Sequence, residues 1–252
     1  MSNNPLKNYL TKLIKLLGYR LIPEWRYTQI SLAEHLRSLF IVLNIKCVID
    51  VGGNRGQYRD FLRMQVGYDG LIITFEPIKS LASNLQLKAR NDSQWIIYPF
   101  ALGSKNDTLQ LNVMKSDVFS SFLKPDSTTI NDFDNYNIVN HIENVIVMKL
   151  DDLLVTLQSK WEKNIYLKID TQGFDLEVLK GAEKTLEHVA ALQSEISCLQ
   201  IYSGMPDFIT SLNFFLDKGF EISGLFPVSR DKSMRVIEFD YVGINKAFRM
   251  LT

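Results

Sequence analysis

The residues of this chain best suited to chemistry are a glycine-rich turn and the acids that close several apolar runs. Val48-Ile49-Asp50-Val51-Gly52-Gly53-Asn54-Arg55-Gly56 carries an apolar run into a turn with three glycines, followed by an amphipathic pattern from about Gln57. Glycine suits such a turn because the backbone bends sharply and approaches a ligand with no Cβ in the way. The N-terminus of a helix that follows offers unpaired N–H groups and a positive dipole end, which favour a carboxylate or phosphate. The glycines fall as G-G-x-x-G, not as the dinucleotide pattern G-x-G-x-x-G. Asp50 stands at the end of the run, where an acid would repel a pyrophosphate but could hold an ammonium group.

A ligand with both an amine and a carboxylate fits this turn best, and the methionyl part of S-adenosylmethionine is such a ligand. The next apolar run ends Ile73-Thr74-Phe75-Glu76-Pro77. Glu76 lies about 20 residues past Gly56, the spacing that places an acid on a neighbouring strand tip to accept hydrogen bonds from ribose hydroxyls. The plainer reading is an ordinary turn with a surface glutamate. Further on, Tyr166-Leu167-Lys168-Ile169-Asp170-Thr171-Gln172-Gly173 again puts a carboxylate at the end of an apolar run, so Asp170 is expected in the same crevice, unless it only caps a helix. Glu195 interrupts the run Leu192–Ile196, where a glutamate is rarely buried unless paired. His141, in an irregular polar stretch, is a further candidate base. Asp151 and Asp152 read as helix caps.

These residues need a scaffold, and the hydrophobic pattern provides one. Strands are expected at Cys47–Val51, Leu71–Phe75, Trp95–Ala101, Ile165–Ile169, Ala190–Ile196 and Phe220–Leu225. Helical periodicity is present at Gln57–Val66, Leu81–Arg90, Leu176–Leu186 and Phe208–Lys218. Alternation of this kind describes βαβ units and a doubly wound, mainly parallel sheet. A last strand, Val236–Ile244, follows Phe220–Leu225 with no helix between them, so a C-terminal antiparallel hairpin is expected. Residues 1–44 read as an N-terminal helical segment: a basic amphipathic stretch from Leu6 to Leu17 and a second pattern from Tyr27 to Leu43. The first could pack on the domain or lie on an anionic membrane surface. Residues 45–252 form one α/β domain, in which about 104–147 break the alternation with Asn, Asp, Ser and Thr. This stretch, with strand-like Thr108–Met114 and Val145–Leu150 at its ends, reads as an insertion over the crevice that serves as a lid or acceptor-binding region.

Composition narrows the classes. The 252 residues carry 28 Lys+Arg against 28 Asp+Glu, and 46% are hydrophobic. A zero net charge argues against a nucleic-acid partner. No apolar stretch is long enough for a transmembrane helix, and the start Met-Ser-Asn-Asn-Pro lacks a signal-peptide core, so the cytoplasm is the expected compartment. The two cysteines, Cys47 and Cys198, have no disulfide or zinc spacing and read as small core residues. No metal site is expected.

The chain resembles the FkbM family of S-adenosylmethionine-dependent methyltransferases from about Lys46 to Asn245. The resemblance is carried by ordered blocks: Asp50 to Tyr58, Phe75-Glu76-Pro77, Trp95 with Ala101-Leu102-Gly103, Ser120 to Leu123, Leu150 to Leu153, Leu167 to Gly173, Val178 to Ala182, Leu192 to Ser197 and Ile201 to Pro206. It implies a Rossmann-like methyltransferase fold, S-adenosylmethionine as cofactor, and O-methylation of a sugar, glycan or related small-molecule hydroxyl. It implies Gly52, Asn54 and Gly56 around the methionyl group and Glu76 on the ribose, and it extends the cofactor set to Asp50, Gly53, Pro77, Ala101 and Leu102. Gln172 stands where many members carry Glu, and Gly53 where many carry Ala.

A sugar hydroxyl is a poor nucleophile when neutral, so a base is expected. Asp170 is the first candidate, followed by Glu195 and His141, while Ser120, Ser121 and Gln172 are placed to bind the acceptor. Two other readings follow from the same sheet type: an NAD-dependent oxidoreductase, which the missing G-x-G-x-x-G disfavours, and a cofactor-binding scaffold without catalysis.

Overall fold

A computed structural model of the protein describes residues 29–126, 138–157 and 164–248, with Ile14 and Leu16. The stretch Leu6–Leu17 therefore lies almost wholly outside the described residues. A central seven-stranded sheet is built from β1 (Cys47–Val51), β2 (Leu71–Phe75), β3 (Trp95–Tyr98), β7 (Ile165–Ile169), β8 (Val189–Ser197), β9 (Phe220–Arg230) and β10 (Val236–Asn245). Its order is β3-β2-β1-β7-β8-β10-β9. All neighbours are parallel except β10, which is antiparallel to both β8 and β9 and lies between them. The expected hairpin is thus present, with its second strand threaded inside the sheet. A smaller sheet joins β4 (Ala101–Leu102), β6 (Val139–Met148) and β5 (Asp107–Met114) in that order.

The central strands read as unbroken apolar runs because helices cover both faces. Alternate residues of β1 enter different cores. Cys47, Ile49 and Val51 pack with α5 (Asp175–Lys180) and α6 (Phe208–Asp217), and Val48 packs with α1 (Ile30–Val42) and α2 (Gln57–Phe61). Helix α2 continues into a wider turn, Leu62–Val66. Leu32, Leu36 and Phe40 line one face of α1, which fixes that helix against Tyr166 and Ala190. Two further helices, α3 (Lys79–Ala89) and α4 (Leu150–Leu157), complete the described set.

The structure departs from the sequence pattern at several places. The run Trp95–Ala101 splits into β3 and β4, with Pro99, which has no N–H to donate, at the break. Helix α5 stops at Lys180, and Gly181 after it packs against the Gly103 turn, where a Cβ would lie 1.9 Å from the Gly103 carbonyl oxygen. Among the described residues of the insertion, β5 and β6 pair antiparallel as the two arms of a hairpin. β6 begins earlier than its apolar end and stops before Leu150, which opens α4. Cys47 is buried, but Cys198 falls just past β8 and is exposed, which corrects its reading as a core residue. Asp151 caps no residue of its own helix: its carboxylate accepts from the Lys184 and Thr185 amides and the Thr185 hydroxyl. Among the described residues no helix is long and apolar enough to cross a membrane.

Candidate active site

The chain runs from β1 outward to β3 on one side of the sheet and from β7 outward to β8 on the other. The strand order therefore reverses between β1 and β7, where ligands of open α/β sheets bind outside the carboxyl ends of the strands. Beneath this point a polar belt crosses the sheet on the face toward α1 and α2. Trp95 Nε1 donates to Thr74 Oγ1 at 2.9 Å, and Thr74 donates to Asp50 Oδ2 at 3.1 Å. Lys168 Nζ lies 3.4 Å from Asp50 Oδ1 and 3.3 Å from Asp170 Oδ2, with the Tyr58 ring centroid 5.0 Å away. Tyr58 and Tyr166 both donate to Gln193 Oε1, at 2.6 and 2.8 Å, and Gln193 Nε2 donates to Asp240 Oδ1 at 2.8 Å.

Electrostatics in the belt follow from burial and pairing. Burial pushes the Asp50 carboxyl above the ordinary carboxylate range, opposed by Lys168 and Thr74. Burial alone would lower Lys168, yet Asp170 and Asp50 together raise it above an ordinary lysine, so its ammonium is a permanent charge in the floor. Asp240 is raised to about 6 by burial, against the hydrogen bond from Gln193.

Above the belt opens a cavity of about 300 Å³, at the low end of the roughly 300–1,000 Å³ typical of small-molecule sites. The glycine turn forms one wall. Gly52 has φ +86°, and a Cβ there would sit 2.0 Å from the Asp170 carbonyl oxygen; a Cβ on Gly53 would sit 2.1 Å from Thr74 Cγ2. Both glycines let β1 end in direct contact with its neighbours. Asn54, also left-handed at φ 44°, turns its backbone N–H toward Glu76. Glu76 is buried, and its two oxygens each accept one backbone amide: Oε2 from Asn54 at 2.7 Å and Oε1 from Ile78 at 2.8 Å. Burial lifts its pKa to about 7, opposed by those two amides.

On the other side of β1, Gln172 joins the acids. Its Nε2 donates to Asp170 Oδ1 at 3.0 Å and to Glu195 Oε2 at 3.1 Å, and its Oε1 accepts from the Tyr202 hydroxyl at 2.8 Å. Burial, followed by the neighbouring Glu238, Asp170, Asp240 and Asp175 carboxylates, pushes Glu195 well above the ordinary glutamate range.

The structure brings Gly52, Gly53, Asn54, Glu76, Pro77, Ala101, Leu102, Ser120, Asp170, Gln172 and Glu195 to this one cavity. Four other residues expected in the site lie off its wall. Asp50 is fully buried and faces the chain's own ammonium, Lys168, where a ligand amine was expected. Gly56 packs on Trp95 and Leu85. Ser121 Oγ is spent inside the protein, donating to the Gln172 carbonyl at 2.7 Å and accepting from the Leu123 amide at 3.0 Å. His141 is exposed on β6 and bonds to Glu143 at 3.0 Å. Sequence reasoning passed over Lys168, Tyr58, Gln193 and Asp240, which line the cavity with Gln29, Leu32 and Phe61. Lys168 carried a usable signal, because a lysine inside an apolar strand requires a buried partner. No group of three or more His, Cys, Asp or Glu suited to a metal ion occurs among the described residues.

Methyltransferase FkbM from Methylobacillus flagellatus KT is similar in structure, with 17% identity and a TM-score of 0.50 over 78% of this chain and 43% of that one. The present chain thus spans under half of that protein's length. Aeropyrum pernix fibrillarin, solved with bound S-adenosyl-L-methionine, aligns at 8% identity and a TM-score of 0.43 over 79% of this chain and 66% of that chain. Magnesium protoporphyrin IX methyltransferase from Synechocystis PCC 6803 aligns at 8% identity and a TM-score of 0.43 over 98% and 100%. No curated protein sequence matches. A doubly wound sheet with one reversed strand threaded near its edge is the Rossmann-like fold of the methyltransferases. The methyltransferase FkbM domain matches residues 50–222, and the chain belongs to that family.

Proposed function

We propose that this chain is an S-adenosylmethionine-dependent O-methyltransferase acting in the cytoplasm on a hydroxyl of a sugar, a glycan or a related small molecule. The observation that carries the reading is one cavity at the sheet's switch point, with a glycine turn and Glu76 on one side and Asp170 with Glu195 on the other. Glu76 follows the end of β2 and Glu195 lies within β8, on strands three spacings apart in the sheet, or about 14 Å.

The residues present fit the cofactor. Each Glu76 oxygen has accepted one backbone amide and keeps a second lone pair for a ribose diol. Phe75, Pro77, Ile78 and Leu102 supply apolar wall for a purine, and Gly52 and Gly53 keep side-chain atoms away from the methionyl end. Lys168, lying 3.5 Å from the Gly52 carbonyl, fixes that turn from below. When bound, S-adenosylmethionine supplies an electrophilic methyl carbon on a positive sulfonium.

The chain's own task is to align an acceptor oxygen and relieve it of its proton. Alignment can supply about 7–11 kcal/mol, and a carboxylate base about 10²–10⁴-fold. Asp170 is the base in this reading. Its side chain is 39% exposed at the tip of β7, and Lys168 balances its charge from below. The acceptor proton goes to an Asp170 carboxylate oxygen, with Glu195 beside it and Ser120 on the insertion side of the cavity.

The test has two stages. Thermal stabilisation by S-adenosylmethionine or S-adenosylhomocysteine, and not by NAD, is expected; stabilisation by NAD alone would overturn the cofactor assignment. Labelled methyl groups from S-adenosylmethionine are then offered to pools of glycans and small hydroxylated molecules. Binding with no transfer to any acceptor would identify a non-catalytic scaffold instead.

A further inference from the structure

We propose that Gln172 is a positioning residue: its carboxamide yokes Asp170 and Glu195 into one carboxylate pair, with Tyr202 bracing the far end of the amide. The acceptor-binding role expected of this side chain is replaced by an internal one.

The geometry carries this assignment. Both protons of Nε2 are used, one on Asp170 Oδ1 at 3.0 Å and one on Glu195 Oε2 at 3.1 Å. Oε1 meets the Tyr202 hydroxyl at 2.8 Å, and the same hydroxyl lies 2.9 Å from the Phe119 carbonyl. Turning the amide over would point its oxygen at two acids, so Asp170 and Glu195 fix the orientation, while the single Tyr202 proton is shared between Gln172 Oε1 and the Phe119 carbonyl. The backbone is held as firmly. Gln172 has φ 54°, a left-handed conformation that side-chain-bearing residues rarely adopt, and its carbonyl is bound by Ser121 Oγ at 2.7 Å. A conformation of this kind persists where the surroundings over-determine it. Here Ser121 and Phe119 of the insertion and Tyr202 of the β8–α6 connection do so.

Charge explains why an amide is wanted. Glu195 lies directly across from Asp240 on β10, and Glu238 of β10, Asp170 just past β7 and Asp175 of α5 also act on it. The nearby cation, Lys168, is engaged by Asp50 and Asp170. A neutral donor reaching both Asp170 and Glu195 lets these acids sit side by side. Glutamate at this position would remove both donors and add a further carboxylate, and like charges in such contact do not all ionise.

The effect on turnover rests on the methyltransferase reading, whereas the effect on the acids does not. The experiment therefore has two arms on the full chain. Carbon NMR titration of labelled Glu and Asp carboxyls follows Glu195 in the wild type, Gln172→Glu, Gln172→Leu and Tyr202→Phe. The expected result is an upward move of Glu195 by about one pH unit or more in both Gln172 variants and a smaller one in Tyr202→Phe. Methyl-transfer rates should fall about 10²-fold in Gln172→Leu, with KM for S-adenosylmethionine within about threefold. Gln172→Glu should regain rate as pH falls, because a protonated carboxyl donates one hydrogen bond; Gln172→Leu should not. An unchanged Glu195 titration in the variants overturns the proposal, even if their melting temperatures drop. If Gln172→Leu does not fold, Tyr202→Phe and Gln172→Glu decide the matter. A wild type that methylates nothing would sink the methyltransferase reading and leave the titration to judge Gln172.

Discussion

Glu76 is the residue proposed above to take the ribose diol. Two backbone amides hold its carboxylate in place before any ligand arrives, so binding orders nothing new. Replacing it with Ala should weaken S-adenosylmethionine binding by about 1.5–3 kcal/mol, the usual worth of hydrogen bonds to a charged group; titration calorimetry checks this. Because its pKa lies at about 7, affinity should decline as pH falls from 8 to 6 and the acceptor carboxylate takes a proton. Asp170→Asn should spare cofactor affinity and lower kcat by about 10²-fold or more. A stable variant with full activity would remove Asp170 as the base. At this scale the sequence was legible at Glu76, Asp170 and Glu195, which all reach the cavity. It misled at Asp50. The acid was visible, but its partner Lys168 lies 118 positions away in the chain, and only the pairing of β1 with β7 brings them together.

The turn after β1 is as much a packing device as a binding loop. Gly52→Ala would force a Cβ to within 2.0 Å of a backbone oxygen in a left-handed conformation. The expected cost is about 3 kcal/mol or more, read as a lower urea midpoint with little change in slope. The parallel strands were legible because burial on both faces makes them continuous apolar runs, and β1, β2 and β7 were read with the observed ends. The insertion's hairpin was not. Only one end of β6 is apolar enough to be noticed, because Asn140, Ile142, Asn144 and Ile146 face outward and its first half mixes polar with apolar residues. Its pairing with β5 sets the register, a long-range condition that periodicity within one segment does not report.

For the whole molecule, the buried acids govern how stability depends on pH. Glu76 and Glu238 are raised to about 7 from 4.5, and Asp240 to about 6 from 3.8. In each, the folded state holds a proton that the unfolded chain has released, so stability falls as pH rises between the two values. Asp92 acts the other way: burial opposes it, but Arg59 and Arg63 hold it low, and its contribution is lost only as pH falls below about 4. The ligand-free protein should therefore melt at a lower temperature at pH 8 than at pH 5. Added S-adenosylmethionine should raise the melting temperature more at pH 8, where Glu76 is ionised. Differential scanning calorimetry with and without ligand tests both statements. The threading of β10 between β8 and β9 also ties the sheet's edge to the cavity. Among the described strands β9 pairs only with β10, so it leaves the sheet whenever β10 does. Asp240 lines the cavity from that same strand, so local opening at this edge would strip the pocket of a carboxylate together with two strands.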